Sequence, residues 1–153
     1  MKPKMITRDQ NGGAAVEFAL ILPLFILLIF GIIEFGLLLY NEHILTNACR
    51  EGARAGIVIR SPTRLSNPEI RTVVKNYAEK YLVTFGSDTL ENTDIVLLII
   101  NNDSNTFNPA TDRCTSFGCD LKVAVTYHYD FLVLSNLGFG QKTLNPVSIM
   151  RME

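Results

Sequence analysis

The chain carries one long apolar run near its amino terminus. Residues 18–33 contain no charged or polar side chain, Glu34 interrupts, and the run resumes from Phe35 to Tyr40. A membrane-spanning helix needs about 20 apolar residues, so the combined run is long enough to cross a bilayer. A buried helix in a soluble core fits poorly, because so small a domain cannot surround it on every side. We therefore expect a transmembrane helix.

The residues flanking this run predict its orientation. Lys2, Lys4 and Arg8 precede the run, which places the amino terminus in the cytoplasm and the remainder in the periplasm or outside the cell. A cleaved secretory signal would need small residues after the run. Here the small residues, from Gly12 to Ala15, come before it.

The periodicity after the run predicts an α+β domain. Small and apolar residues continue as a helical stripe through residues 41–55, with Gly56 as the expected stop. A second amphipathic helix is predicted over residues 68–83, with Asn67 as its N-cap. Residues 94–100, 121–129 and 147–152 read as strands of a three-stranded antiparallel sheet. We interpret residues 131–140 as a long apolar loop that packs on the sheet or against a partner subunit.

Composition argues against several functions. The formal net charge of −1 gives no basic excess for nucleic acid, so no nucleic-acid partner is expected. The sequence GQKT from Gly140 lacks the first glycine of a phosphate-binding loop. His43 and His128 are not at metal-ligand spacing. We expect no cofactor, no metal and no enzymatic activity.

Three cysteines allow one short cross-link. Cys114 and Cys119 flank a four-residue loop, and in an oxidising compartment this spacing favours a disulfide between them. Cys49 lies on the helical stripe. We favour a small buried residue there, with an intermolecular or alternative disulfide as the other interpretation.

Two acidic residues and a proline lie at the start of the apolar run or within it. Glu17 opens it, at a depth where a carboxylate can reach the headgroups and complement the helix dipole. Glu34 follows seventeen residues later, about 25 Å along a helix, so the two acids could mark the two membrane edges. Pro23 removes a backbone hydrogen bond and favours a kink, which membrane helices tolerate.

The residues before the run form a recognisable spacing. Gly12 is followed by four residues and then by Glu17 and Phe18. This pattern resembles the prepilin-peptidase site of the Flp/Tad class, which implies a cut between Gly12 and Gly13. Glu17 would then be the fifth residue of the mature chain. The resemblance further implies that its carboxylate pairs with the terminal ammonium of a neighbouring subunit, an attraction that is strong at low dielectric.

Further motifs strengthen the resemblance. Ala14–Pro23 reads AAVEFALILP, Arg50–Gly56 reads REGARAG, and Met150–Glu153 reads MRME. Together they resemble the TadE-like family, the minor pseudopilins of the Tad (Flp) pilus machinery. The resemblance also implies a second interpretation of Pro23, as the mark of a helical segment that melts on assembly.

The resemblance implies a role in pilus initiation, assembly or tip structure. It divides the chain into a cytoplasmic leader (1–12), a transmembrane and extended pilin-like helix (13–56) and an extracytoplasmic α+β domain (57–153). The implied location is the bacterial inner membrane, in a single pass, with later incorporation into the extracellular pilus as one outcome. The implied partners are a prepilin peptidase, other pilins or pseudopilins, the inner-membrane assembly platform and the lipid bilayer. An unprocessed membrane-anchored scaffold of the same machinery is the alternative, and a membrane-tethered enzyme or binding module is a third hypothesis.

Overall fold

The structure is a computed structural model, which describes residues 11–58, 64–84, 89–100, 118–138 and 140–152. Its main element is α1, Asn11–Ile57, a continuous helix of 47 residues. At 1.5 Å per residue this helix is about 70 Å long. Pro23 lies inside it, so the helix continues past the proline as in many membrane helices. The predicted boundary between residues 12 and 13 falls in its first turn.

The second helix, α2, spans Asn67–Tyr81. The prediction of Asn67 as its N-cap was wrong by one residue, because Ser66 holds that position. Ser66 forms a capping box with Glu69, whose Oε2 accepts a hydrogen bond from the Ser66 backbone N–H at 2.6 Å. The helix also ends two residues before the predicted Val83, whose backbone is bonded to α1 instead.

The three predicted strands form the antiparallel sheet that was expected. Strand β1 (Ile95–Ile100) pairs with β2 (Asp120–Val125), which pairs with β5 (Val147–Arg151), so β2 is central. The register aligns Leu97 with Val123 and Val123 with Ser148. Side chains of β1 and β2 alternate between buried and less buried positions, as expected for a sheet covered on one face.

The single strand predicted over residues 121–129 was wrong in its extent. It is divided at Thr126, and β3 (Tyr127–Tyr129) pairs with β4 (Lys142–Leu144) in a separate two-stranded sheet. The Thr126 N–H still donates to the carbonyl of Asp94 at 2.9 Å, in the register of the β1–β2 pair. The residues before Ile95 form a 3₁₀ helix, Asn92–Asp94, so β1 offers no strand residue opposite Tyr127, and the chain pairs with β4 from there. Periodicity alone continues through this point, since Tyr127 and Tyr129 are buried and His128 is exposed.

The core lies between the second half of α1, α2 and one face of the three-stranded sheet. Two glycines of α1 allow this close packing. A Cβ on Gly52 would overlap the Cγ2 atom of Val74, and a Cβ on Gly56 would lie 2.5 Å from Leu121 Cδ2. The larger fully buried side chains are Tyr129, Leu45, Ile95, Leu97, Leu121, Val74, Val123 and Val125.

Candidate membrane and assembly surface

The first half of α1 is an uncovered apolar surface. The helix is long and apolar enough to cross a membrane, and its most apolar window makes no buried contact with the rest of the protein. Its exposed large side chains include Val16, Phe18, Leu20, Ile21, Leu24, Phe25, Ile26, Leu27, Leu28, Ile29, Phe30, Ile32, Ile33 and Phe35. An apolar surface of this extent requires lipid or protein around it.

The predicted processing residues lie at the start of this surface. Gly12 and Gly13 are exposed in the first turn of α1, and added Cβ atoms there would meet no other atom within 4 Å. Glu17 and Phe18 follow on exposed positions one turn later. Within the described part of the chain, no basic group lies at ion-pair distance from Glu17. Cleavage after Gly12 stays a prediction.

Glu34 marks the point where the helix meets the rest of the protein. Its side chain is only 3% exposed. The carboxylate accepts hydrogen bonds from the backbone N–H of Val133, at 3.2 and 3.4 Å from its two oxygens, and of Leu134 at 3.2 Å. These bonds hold the start of a 3₁₀ helix, Leu134–Leu137, against α1. From the sequence we expected Glu34 to mark a membrane edge, and the periodicity gave no sign of these contacts.

Tyr129 lies beside this contact. Its ring is fully buried and packs edge-to-face on Phe131, with ring centroids 5.5 Å apart. Its hydroxyl is buried without a hydrogen-bond partner in the described residues. Burial raises the pKa of Tyr129, and the nearby charge of Glu34 raises it further. The tyrosine therefore stays neutral and acts as a packing residue.

Asn41 forms a second polar contact that sequence reasoning missed. It is fully buried one turn beyond Leu37 on α1. Its Nδ2 donates to the Val83 carbonyl at 2.7 Å, and its Oδ1 accepts from the Val83 N–H at 3.1 Å. The side chain thus replaces a backbone partner for the segment after α2. An amide directly after an apolar run was the available signal.

The cysteines occupy different environments. Cys49 is buried, unpaired and in contact with the Pro146 carbonyl, at 3.6 Å from Sγ. Burial raises the pKa of its thiol from 9.0 to about 12, which agrees with a small buried residue. Cys119 is buried just before β2, whereas Cys114 lies outside the described residues. The predicted disulfide between them stays a prediction.

The side chains that could bind a metal ion or catalyse a reaction are dispersed over the described residues. Within the described ranges, no group of three or more histidine, cysteine, aspartate or glutamate side chains could hold a metal ion. His43 and His128 lie exposed on α1 and on β3. The expectations of no cofactor, no metal and no catalysis stay predictions.

Comparison with known proteins finds a family model that matches α1. Residues 12–54 match the family model described as TadE-like protein. This segment is TadE-like. The match begins at Gly12, covers the whole apolar surface and ends at Arg54 in the packed half of α1, and it confirms the resemblance drawn from the motifs. The matched residues include the helix that is long and apolar enough to cross a membrane, and the two findings together suggest a single-pass membrane protein. No curated protein and no solved structure matches the chain.

Proposed function

We propose that this chain is a minor pseudopilin of a Tad/Flp pilus, processed by a prepilin peptidase and acting in pilus initiation, assembly or tip structure. One observation carries the proposal: the TadE-like match coincides with a helix half that the protein leaves uncovered. Lipid covers this surface while the protein is anchored, and neighbouring pilin helices cover it after assembly. The same apolar surface thus serves two environments.

The cleavage step depends on the two exposed glycines. A peptidase needs an extended substrate, whereas the bond between Gly12 and Gly13 lies in the first helical turn. Each glycine makes a helix about 1 kcal/mol less favourable than alanine does, so this turn unwinds more readily than the Ala14–Ala15 turn after it. Cleavage leaves an ammonium on Gly13, four residues before Glu17. That charge and the Glu17 carboxylate of a neighbouring subunit attract each other strongly inside the membrane.

The intact mass and the amino-terminal sequence of the membrane-extracted protein test the proposal, with and without a co-expressed prepilin peptidase. We expect a chain that begins at Gly13 only when the peptidase is present. Gly12→Leu should block cleavage, and Gly36→Leu is the matched control, because both glycines lie on α1 in open surroundings. Equal cleavage of the two variants would argue against recognition of Gly12.

One observation favours the alternative, an unprocessed membrane-anchored scaffold of the same machinery. The helix runs without a break from Asn11 through the predicted cut, and a helical peptide bond is a poor protease substrate. A chain that keeps Met1 in the presence of active peptidase would support the scaffold. Normal piliation in cells that lack the protein would contradict both roles.

Assembly is tested separately from cleavage. Glu17→Gln keeps the size of the side chain but removes its charge, so we expect normal processing and reduced pilus formation. The readout is the amount of sheared pili from complemented cells, with His43→Gln as a control on an exposed position of α1 away from the apolar half. Unchanged piliation of the Glu17→Gln variant would contradict the proposed pairing of Glu17 with a neighbouring ammonium.

A further inference from the structure

The segment from Phe131 to Leu137 is apolar, irregular and attached to the helix at Glu34. It begins with Phe131 and Leu132, and Leu132, two residues before the short 3₁₀ helix, is 49% exposed. The attachment is specific, because the Glu34 carboxylate accepts from two consecutive backbone N–H groups. The segment therefore has a fixed position along α1.

That position coincides with the end of the membrane-spanning surface. On the side of α1 away from the domain, exposed apolar residues continue past Glu34 to Leu39 and Tyr40. Tyr40 lies six residues, or about 9 Å, further along the helix, and tyrosine is typical of the membrane interface. Side chains of a helix generally lean toward its amino terminus, which favours a position of the Glu34 carboxylate on the membrane side of its own Cα. The segment bound to it thus lies at the level of the interface.

The hydrogen bonds fit such a location. Backbone that is neither helix nor sheet is tolerated at membrane depth only when its polar groups are satisfied by protein, since water is scarce there. Glu34 supplies acceptors for the N–H groups of Val133 and Leu134, where the chain turns into its short 3₁₀ helix. An acid that would otherwise be unfavourable in an apolar run thereby gains two donors.

We propose that the segment Phe131–Leu137 docks the extracytoplasmic domain on the lipid bilayer, with Leu132 entering the interface and Glu34 holding the segment in place. The partner is the lipid surface around the chain's own anchor. Docking fixes the tilt of the domain and of α1 relative to the bilayer before the protein meets other subunits. The inference rests on the membrane anchoring in the proposed function, but not on cleavage or on pilus formation.

Tryptophan fluorescence in reconstituted vesicles tests the docking. The chain contains no tryptophan, so a single substitution gives a unique signal. The full-length Leu132→Trp variant is reconstituted in phosphatidylcholine vesicles whose acyl chains carry bromine, a quencher, either near the headgroup or deep in the bilayer. Ile149→Trp is the matched control, an apolar residue that is 55% exposed on the uncovered face of β5. Leu28→Trp, in the middle of the apolar run, reports on the anchor.

We expect Leu132→Trp to lose more emission with shallow than with deep bromine and to shift to shorter wavelength than Ile149→Trp. Leu28→Trp should show the reverse depth preference. Emission from Leu132→Trp that matches Ile149→Trp, whether both are unquenched or both are quenched, would overturn the proposal. Absence of quenching at Leu28→Trp would overturn the anchor and the docking together, which separates that failure from a failure of docking alone.

A second variant tests the role of Glu34. In the Leu132→Trp background, Glu34→Ala removes both acceptors and should reduce the shallow quenching, whereas Glu34→Gln keeps one carbonyl oxygen and should retain more of it. Protection of the buried Cys49 thiol from alkylation shows that each variant is folded. Unchanged quenching in folded Glu34→Ala would overturn the positioning role of the carboxylate.

Discussion

Replacing Gly52 by alanine tests how closely α1 and α2 must approach. An alanine Cβ at this position would overlap Val74 Cγ2, and Val74 is fully buried on α2. Valine is branched at Cβ and has one strongly preferred rotamer in a helix, so its methyl group cannot easily rotate away. The overlap is therefore relieved only by moving α2 away from α1.

The size of the effect follows from two opposing terms. Overpacking a well-packed core costs about 1–3 kcal/mol. Alanine in place of glycine stabilises a helix interior by up to about 1 kcal/mol. We expect a net loss of about 1–2 kcal/mol in the free energy of unfolding of the domain. This loss multiplies the fraction of molecules in which α1 has opened from the core roughly 5–30-fold. Gly56→Ala should cost less, because the nearest atoms there, Leu121 Cδ2 and Ile70 Cδ1, are ends of flexible side chains.

Alkylation of the buried Cys49 thiol is a suitable assay, because the thiol reacts only when the packed half of α1 opens. The full-length protein in detergent is alkylated across a denaturant series, and mass spectrometry assigns the label to Cys49. Gly36→Ala is the control, since nothing lies within 4 Å of a Cβ there. Val74→Ala in the Gly52→Ala background removes the overlapping methyl group, so the two changes should couple favourably by about 1 kcal/mol.

Two results would refute this reasoning. The first is a Gly52→Ala protein whose Cys49 is as protected as in the parent. The second is strict additivity of the two substitutions, which would mean that the Cβ at residue 52 and the methyl group of Val74 do not compete for space.

The remaining predictions concern the polar contacts, the cap and the buried thiol. Asn41→Ala leaves both backbone groups of Val83 unpaired and should destabilise the domain by about 2–3 kcal/mol. The control is Glu42→Ala at the exposed neighbouring position, and equal protection of the Cys49 thiol from alkylation in the two variants would contradict this prediction. Ser66→Ala removes the cap shared with Glu69 and should cost about 1 kcal/mol by the same assay, whereas no loss would show that the first turn of α2 needs no side-chain cap. The raised pKa of Cys49 favours the folded state fully below pH 9.0, and this contribution is lost as the pH rises toward about 12. Urea titrations should therefore show the parent losing stability above pH 9.0 more steeply than Cys49→Ala, and parallel pH profiles would contradict the shift.

Sequence periodicity located the elements better than their ends. The apolar stripe of α2 was correct, but its cap moved from Asn67 to Ser66, because both residues are good caps and only Ser66 forms the reciprocal bonds with Glu69. The alternation across residues 121–129 also continued past the break at Thr126. Alternation reports which face is buried, and that face stays the same when the strand changes partners.

The apolar run and the residues before it predicted the membrane helix and its orientation from the sequence alone, and the TadE-like motifs predicted the family match, because these features depend on local composition and spacing. The helix and the match are confirmed, and the orientation stays a prediction. The tertiary structure decided the roles of Glu34, Asn41 and Gly52. Each of these residues acts on a chain segment far away in sequence: Glu34 on Val133 and Leu134, Asn41 on Val83, and Gly52 on Val74. Local patterns carry no information about such pairings, since hydrogen-bond partners and close contacts are fixed only when the packed elements meet.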